Sequence, residues 1–229
     1  MDKLKVIFED NHIIVVEKKP NIPSQSDKTG DIDMLTIVKQ YIKEKYQKPG
    51  NVYVGLVHRL DRPVGGVMIF AKTSKAASRL SNQVREKIFK KKYLAVVDGR
   101  FNEKKGSLED YLYKDERNNI SKVVNKDRKN AKLAKLDYKE LTYNEVKNLS
   151  LLEINLHTGR HHQIRVQLAN SGHSIFGDQK YGKRGQGKQI ALWAYELTIE
   201  HPITKENLIF RDLPEPIGTW CILKDNVKL

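Results

Sequence analysis

One acidic residue of the chain stands in a segment whose composition suits a catalytic turn. Asp61 ends an apolar run, with Arg59 two residues before it and Arg62 directly after it. Pro63 and two glycines then lead into a second apolar run, GGVMIFAKT. A tight turn between rigid strands can hold a catalytic group accurately, and a cation within about 4–6 Å lowers the pKa of a carboxylate. The segment predicts an ionised Asp61 that acts as a nucleophile or as a base, although Asp is also common in turns that have no function.

A second polar segment, HTGRHHQIR at residues 157–165, indicates the start of a helix. Its Thr-Gly pair predicts the beginning of the helix, which places Arg160, His161 and His162 in the first turn. Positive groups there oppose the helix dipole by about 0.3–1 kcal/mol each when they are charged and exposed. Such a helix end is favourable if an anion docks on it, either a phosphate of a ligand or the Asp61 carboxylate. We therefore expect this turn to be part of a cleft that binds an anion.

The chain shows no pattern for a metal or a cofactor. Its candidate ligands His157, His161, His162 and His173 are accompanied by neither a cysteine cluster nor an HExxH motif. The phosphate-binding patterns GxGxxG and GxxxxGK[ST] are also missing from the sequence. We therefore predict chemistry that needs no metal and no cofactor.

The charge of the chain indicates a partner that carries phosphates. Its 42 lysines and arginines exceed its 28 acidic residues, which gives a net charge of +14 over 229 residues. Neutralising phosphates releases condensed counterions and gives affinity that does not depend on sequence. The alternative is a basic protein whose lysines are only solvated. Composition thus favours a nucleic acid as the partner but does not prove it.

The compartment follows from cysteine usage and hydropathy. Cys221 is the single cysteine, so no intrachain disulfide is possible. The first ten residues, MDKLKVIFED, lack the apolar core of a signal peptide, and no run approaches the roughly 18 apolar residues of a membrane span. We expect a soluble, cytoplasmic protein without a membrane partner. Nothing in the sequence indicates a protein partner or an obligate dimer, so we expect a monomer.

Short β-like runs alternate irregularly with a few helical ones. Apolar spacing predicts helices over residues 33–46 and 74–89, and a third helix in RHHQIRVQLANSG. LKVIFED, HIIVVEKK, NVYVGLVHRL, GGVMIFAKT, YLAVVDG and LSLLEINLH read as strands, and ALWAYELTIEH with NLIFRDL reads as a closing strand pair. The polar stretch KDERNNISKVVNKDRKNAK reads as an exposed hairpin or loop. These elements predict a single α+β domain over residues 1–229, with a mainly antiparallel central sheet flanked by helices.

Four ordered segments resemble the RluA-type pseudouridine synthases, which modify uridines in ribosomal and transfer RNA. HRLD at residues 58–61, followed by its turn and a strand ending in AK, resembles the catalytic-aspartate motif of that family. KYLAVV at 92–97, TGRHHQIR at 158–165 and GHSIFGDQKYG at 172–182 resemble its KxYLAxV, TGRxHQIR and GHPIxGDxxYG motifs. The match covers about residues 6–215. It departs from the family at Val64, Gly65 and Ser174, where Thr, Ser and Pro are common, and the first two put hydrogen bonds inside the turn in doubt.

The resemblance implies an isomerase that converts uridine to pseudouridine in rRNA or tRNA, on a pseudouridine synthase fold with a basic RNA cleft. It implies a bare catalytic domain that binds structured RNA through its own surface, without an S4 domain. Asp61, Tyr93 and Arg165 would be catalytic, with Arg165 paired to Asp61 and Tyr93 against the uracil. The substrate-binding residues would be His58, Arg59, Arg62, Arg160, His162, Gln163 and Ile164. Arg59 would enter the RNA base stack at the position that the flipped uridine leaves. Ile164 would form the apolar floor of the pocket that receives the base. Tyr93 and Ile164 could equally be ordinary core residues.

Two other functions fit parts of the sequence. A catalytically silent RNA-binding or ribosome-assembly protein could share the fold, but a pure binder needs no carboxylate among arginines. A glycosidase-like hydrolase would use Asp61 together with Asp178. That chemistry requires two carboxylates that flank the bond, and a basic cleft is a poor setting for a general acid with a raised pKa.

The helix-start hypothesis predicts the behaviour of Arg160→Ala. We expect this change to weaken RNA binding and to reduce its salt dependence, because one phosphate contact is lost. Equilibrium binding measured across a series of salt concentrations tests this. Binding that is unchanged at every salt concentration contradicts the hypothesis.

Overall fold

Continuous runs of β-branched and other apolar residues form the first strands. The computed structural model describes residues 4–224 except Arg184, Gln186 and Lys188. In chain order the elements begin with β1 (Val6–Glu9), β2 (Ile13–Lys18), α1 (Met34–Lys45), β3 (Gly55–Leu56), β4 (Gly65–Ala71) and α2 (Ser74–Arg85). β2 pairs antiparallel with β1 and with β4. Every residue of β4 is buried, which explains why its sequence is apolar throughout rather than alternating.

Local capping signals fix where the first two helices begin. The side chain of Asp33 accepts a hydrogen bond from the Thr36 backbone N–H at the start of α1, and Thr73 caps α2 in the same way. α2 is shorter than the predicted helix over residues 74–89, because Lys87 adopts a left-handed conformation with φ of 62°. Phe89, after this break, packs into the apolar core of β2, β4 and α2.

The predicted strand NVYVGLVHRL is mostly irregular, and this prediction was wrong in extent. Only Gly55 and Leu56 pair with β4. Further along, the backbone N–H of Ile69 in β4 donates to Nε2 of His58, at 3.1 Å. A side chain thus satisfies a donor that a neighbouring strand would otherwise pair. Asp61 therefore follows an irregular segment and not a strand end.

A second set of strands builds an antiparallel sheet. Its elements are β5 (Lys90–Asp98), β6 (Lys105–Asp115), β7 (Ile120–Val124), β8 (Lys132–Asn144), β9 (Leu149–Leu156) and α3 (Gln163–Asn170). The strands pair in the order β5-β9-β8-β6-β7. β7 lies inside the polar stretch, so the predicted hairpin is present. Val166 of α3 packs on Leu112 and Ala134 of the sheet. The chain continues with β10 (Leu192–Glu200), β11 (Asn207–Arg211) and a 3-10 helix (Gly218–Lys224).

The elements group into two compact units. The first contains the chain up to Lys90 together with Ala194–Leu213, and the second contains Lys91–Trp193 and the segment from Pro214. The strand pairs in each unit are antiparallel, and the predicted closing pair is present as β10 and β11. The α+β class with a mainly antiparallel sheet is therefore confirmed. The single domain over residues 1–229 stays a prediction.

Gly66 is the point at which a side chain is least tolerable in β4. Its φ is 122°, and an added Cβ would overlap the backbone carbonyl of Ala194. The neighbour is backbone and cannot rotate away, so β4 would have to shift. Gly66 thus permits the close approach of two backbone segments in the first unit.

We expect Gly66→Ala to lower the free energy of unfolding by about 1–3 kcal/mol or more, because it combines a positive φ with backbone overlap. Urea denaturation measures the change. Gly50→Ala is the matched control, since nothing lies within 4 Å of its added Cβ and its φ is not positive. Equal stability of the two variants contradicts this account.

Candidate active site

The turn that carries Asp61 is closed by the backbone. The Val64 N–H donates to the carbonyl of Asp61 at 2.9 Å, which is the bond of a four-residue turn. Ser24 holds the residue before the turn, since its hydroxyl donates to the Leu60 carbonyl at 2.8 Å and accepts from the Leu60 N–H at 3.1 Å. The Asn21 N–H donates to the Arg62 carbonyl at 2.8 Å. Asp61 itself is partly exposed.

A buried lysine that the sequence analysis missed fastens this turn. Lys18, at the end of β2, is 0% exposed. Its Nζ donates to the carbonyls of Val64 at 2.6 Å, Arg62 at 2.9 Å and Lys19 at 3.2 Å. Burial lowers the pKa of Lys18 to about 7, and the negative charge of Asp61 opposes that lowering. The ammonium of Lys18 therefore both holds the turn and interacts with its carboxylate.

The residue alternation of β2 could have identified Lys18 as a buried lysine. Alternate residues of a strand share a face, and Lys18 lies in phase with Ile14 and Val16, both of which are fully buried. A lysine in phase with a buried face must find partners. The same lysine answers the doubt raised by Val64 and Gly65, because backbone and ammonium donors close a turn that has no hydroxyl at these positions.

Arg62 does not take the position expected from its place in the sequence. Its guanidinium donates to Thr29 Oγ1 at 3.0 Å, pairs with Asp31 and lies 3.6 Å from Asp27. The exposed loop 27–31 thus neutralises this arginine. Within the first unit, Lys18 is a further positive charge that interacts electrostatically with Asp61. Arg59 is exposed.

His58 belongs to the interior of the first unit. It is 7% exposed, its Nε2 accepts from the Ile69 N–H, and its ring centroid lies 5.1 Å from that of Phe89. Because Nε2 accepts, the neutral ring carries its proton on Nδ1. This location favours support of the turn over direct contact with RNA.

In the second unit the helix begins later than predicted. α3 starts at Gln163, and His162 precedes it with φ of 53° in the left-handed region. A left-handed residue interrupts the helical path, so Arg160, His161 and His162 lie before the helix and not in its first turn. The dipole argument for Arg160 therefore does not apply. The first turn instead contains Arg165.

Gln163 organises the segment before the helix. Its Oε1 accepts from the Thr158 hydroxyl at 2.8 Å and from the Arg160 N–H at 3.0 Å, and its Nε2 donates to the Lys135 carbonyl at 3.1 Å. Arg160 is exposed, and its Nε donates to the carbonyl of Leu133 at 2.9 Å. The segment is thus attached to the first residues of β8, and the buried Gln163 side chain supports it.

His162 is a neutral member of a polar network. It is 8% exposed, and its Nδ1 lies 2.9 Å from the Tyr181 hydroxyl, which also accepts from the Ser121 N–H at 2.6 Å. Burial first, and then the charge of Arg165, lower the pKa of His162 to about 2. The tyrosine hydroxyl is therefore hydrogen-bonded to a neutral imidazole, and the tautomer of His162 decides which of the two groups donates. His162 serves the shape of the segment and not its charge.

The remaining predicted site residues are buried in the second unit. Tyr93 is 6% exposed on β5, opposite Ile154, and Ile164 is 5% exposed in α3. The side chain of Arg165 is 4% exposed and forms an ion pair with Asp178 at 2.6 Å. Because both carboxylate oxygens of Asp178 are engaged by Arg165, Asp178 does not suit the general acid that the hydrolase alternative requires.

The histidines considered as metal ligands make other interactions. His157 lies 2.6 Å from Asp137, and His173 stacks on Phe101 with ring centroids 3.8 Å apart. Among residues 4–224, apart from the three undescribed positions, no group of three or more His, Cys, Asp or Glu side chains could hold a metal ion. In the same part of the chain, no helix has the length and apolar character needed to span a membrane.

Comparison with known proteins assigns the chain to a family. Residues 12–170 match the family described as RNA pseudouridylate synthase. A protein of Bacillus subtilis named uncharacterized RNA pseudouridine synthase YhcT is 34% identical over 218 residues, which cover 93% of this chain and 69% of the relative. Ribosomal large subunit pseudouridine synthase D of Borreliella burgdorferi is 32% identical over 211 residues, 89% of this chain and 63% of the relative. The chain therefore belongs to the RNA pseudouridylate synthase family, whose members are isomerases.

A solved structure shares the fold. Human RNA pseudouridylate synthase domain containing 1 superposes with a TM-score of 0.76 at 22% identity, over 95% of this chain and 85% of that protein. The matched family region contains the first three of the four motifs, including Asp61, Tyr93 and Arg165, and ends just before the fourth motif at residues 172–182. The resemblance to the pseudouridine synthases is thus confirmed.

The buried Lys18 predicts a specific dependence of stability on pH. Its pKa is about 7 in the folded protein and 10.5 in a free side chain. Between these values the unfolded chain binds the extra proton, so the free energy of unfolding rises with pH. We expect Lys18→Met to lose this rise, which amounts to at most about 1.4 kcal/mol per pH unit.

Urea denaturation of both proteins at pH 7, 8 and 9 measures this difference. Other titrating groups contribute equally to the two proteins, so the difference isolates Lys18. Parallel pH dependences in the parent and in Lys18→Met count against a buried, proton-releasing ammonium under the turn.

Proposed function

We propose that this protein isomerises uridine to pseudouridine in rRNA or tRNA, with Asp61 as its catalytic carboxylate. The observation that carries the proposal is the turn around Asp61, which stands at the family's aspartate motif and is fastened by two hydrogen bonds from the buried Lys18, to the carbonyls of Arg62 and Val64. A carboxylate on a rigid turn is suited to catalysis because its geometry is set before the substrate binds. The proposal keeps Tyr93 and Arg165 as the other catalytic residues.

The reaction balances without any cofactor. The bond between N1 of uracil and C1′ of the ribose breaks, and a bond between C5 and C1′ forms. C5 loses its proton and N1 gains one, so the product is an isomer of the substrate. Asp61 acts either as a nucleophile or as a base in these steps, Arg165 pairs with its negative charge, and Tyr93 lies against the uracil and takes part in proton transfer.

Exposure divides the proposed substrate-binding residues into two groups. Arg59 and Arg160 are exposed and suit contacts with phosphates, since guanidinium groups bind them through two donors. Arg62 would make such a contact by exchanging Asp31 for a phosphate. Ile164 is proposed as the apolar floor under the base. His58, His162 and Gln163 are at most 8% exposed and support the segments that carry these contacts. Arg59 is the residue proposed to fill the stack that the flipped uridine leaves.

The proposed partner is structured RNA. The net charge of +14 supports a polyanion, and the relative named as ribosomal large subunit pseudouridine synthase D supports rRNA in particular. We propose a monomer that works in the cytoplasm on such RNA. Mapping of pseudouridine in rRNA and tRNA from cells with and without the protein identifies the modified uridine.

The decisive variant is Asp61→Asn. We expect it to bind RNA nearly as tightly as the parent and to give no measurable turnover, because the neutral amide replaces the carboxylate at nearly the same size. Release of tritium from RNA labelled at C5 of uracil measures turnover, and filter retention measures binding. The loss should exceed about 10²-fold, the lower range for loss of an acid–base group.

Glu103→Gln is the charge-matched control, since Glu103 is an exposed carboxylate between β5 and β6. It should release tritium at the parent rate. Multiple turnovers by Asp61→Asn defeat the mechanism, and a parent protein that binds RNA without releasing tritium points to the silent RNA-binding protein instead.

A further inference from the structure

The guanidinium of Arg165 is held along one edge by Asp178. Nε donates to Oδ2 at 2.7 Å and Nη2 donates to Oδ1 at 2.6 Å, so the two groups form a planar, two-bond pair. The side chain of Arg165 is 4% exposed and that of Asp178 is 0% exposed. Asp178 takes two of the five guanidinium donors. The remaining three N–H donors of the guanidinium are not used by Asp178.

Asp178 is itself fixed by the loop in which it lies. Its Oδ1 also accepts from the backbone N–H groups of Lys180 at 2.9 Å and Tyr181 at 3.2 Å. Its carbonyl accepts from the Gly182 N–H at 2.9 Å. Gly177 adopts φ of 74°, and a Cβ there would overlap the carbonyl of Gln189. The carboxylate is therefore set by backbone contacts and cannot follow a moving arginine.

The same guanidinium lies over the ring of Tyr181. The Arg165 Cζ lies 5.3 Å from the centre of the tyrosine ring, within the range of a cation–π contact. The Tyr181 hydroxyl is in turn bonded to the Ser121 N–H and to His162 Nδ1. The loop thus holds the arginine head group through both an ion pair and a ring contact.

We propose that Asp178 is the positioning residue for Arg165, a role that rests on the proposed function. An arginine side chain has a large rotamer entropy, and a guanidinium that must meet a reacting group gains when this entropy is lost during folding and not during binding. Asp178 acts through Arg165 and does not touch the substrate. Its carboxylate accepts four N–H groups and is buried, which leaves it unsuited to transfer protons.

The experiment is a double-mutant cycle of Asp178→Asn and Arg165→Lys, read by tritium release under saturating and limiting RNA. A displaced arginine costs on the order of 10²-fold when an aligned group moves by about 1 Å, so Asp178→Asn should lower kcat by about that factor with little change in KM. The double variant should be no slower than Arg165→Lys alone, because an ammonium cannot form the two-bond pair through which Asp178 orients the guanidinium. Additive losses, or parent kcat in a folded Asp178→Asn, overturn the proposal.

A second readout is independent of RNA. The Nε–H proton of Arg165 should exchange slowly with water in the parent, and its NMR signal is identified by its absence in Arg165→Lys. The signal should exchange fast in Asp178→Asn. Slow exchange retained in that variant overturns the assignment whatever its activity. A parent protein without tritium release overturns the proposed function instead and leaves the exchange result intact.

Asp178→Asn leaves a buried cation without its counter-charge, which can be enough to unfold the protein. If it shows no cooperative urea transition, the same measurements on Asp178→Glu decide. This variant keeps the charge and moves it by one methylene, so kcat should fall. The Nε–H proton of Arg165 should still exchange with water more slowly than that of a solvent-exposed arginine. Parent kcat in Asp178→Glu overturns the proposal.

Discussion

The turn that carries Asp61 depends on one ammonium group with no access to solvent. Lys18 gives its donors to the carbonyls of residues 19, 62 and 64, and these bonds offset part of the cost of burying a charge. Burial still lowers its pKa to about 7. The protein therefore accepts a destabilising charge at the place where this charge fixes the turn.

The second unit fixes its candidate catalytic group by a related device. Arg165 is buried against Asp178, whose carboxylate is bonded to the backbone of its own loop. In both cases a charged side chain is rigid because its hydrogen-bonding capacity is taken up by groups that cannot move. Rigid placement of charge serves an isomerase when electrostatic stabilisation carries much of the catalysis.

Local signals account for the elements that the sequence predicted well. α1 and α2 begin where Asp33 and Thr73 cap them, and β2 and β4 follow uninterrupted apolar runs. The errors occur where a distant contact replaces the local rule. His58 satisfies the Ile69 N–H and so ends the predicted strand early. His162 enters the left-handed region beside Tyr181, which delays the start of α3.

The sequence by itself determined the family, the residue types at the candidate site and the class of the fold. The reason is that ordered motifs and hydrophobic periodicity depend only on residues that are close together in the sequence. Only the tertiary structure decided which partner each charged side chain contacts. Arg62 turns to Asp31, Lys18 reaches Val64 across 46 residues, and Arg165 pairs with Asp178. The physical reason is that an ion pair depends on distance in space, and neighbours in sequence such as Asp61 and Arg62 can point their side chains toward different partners.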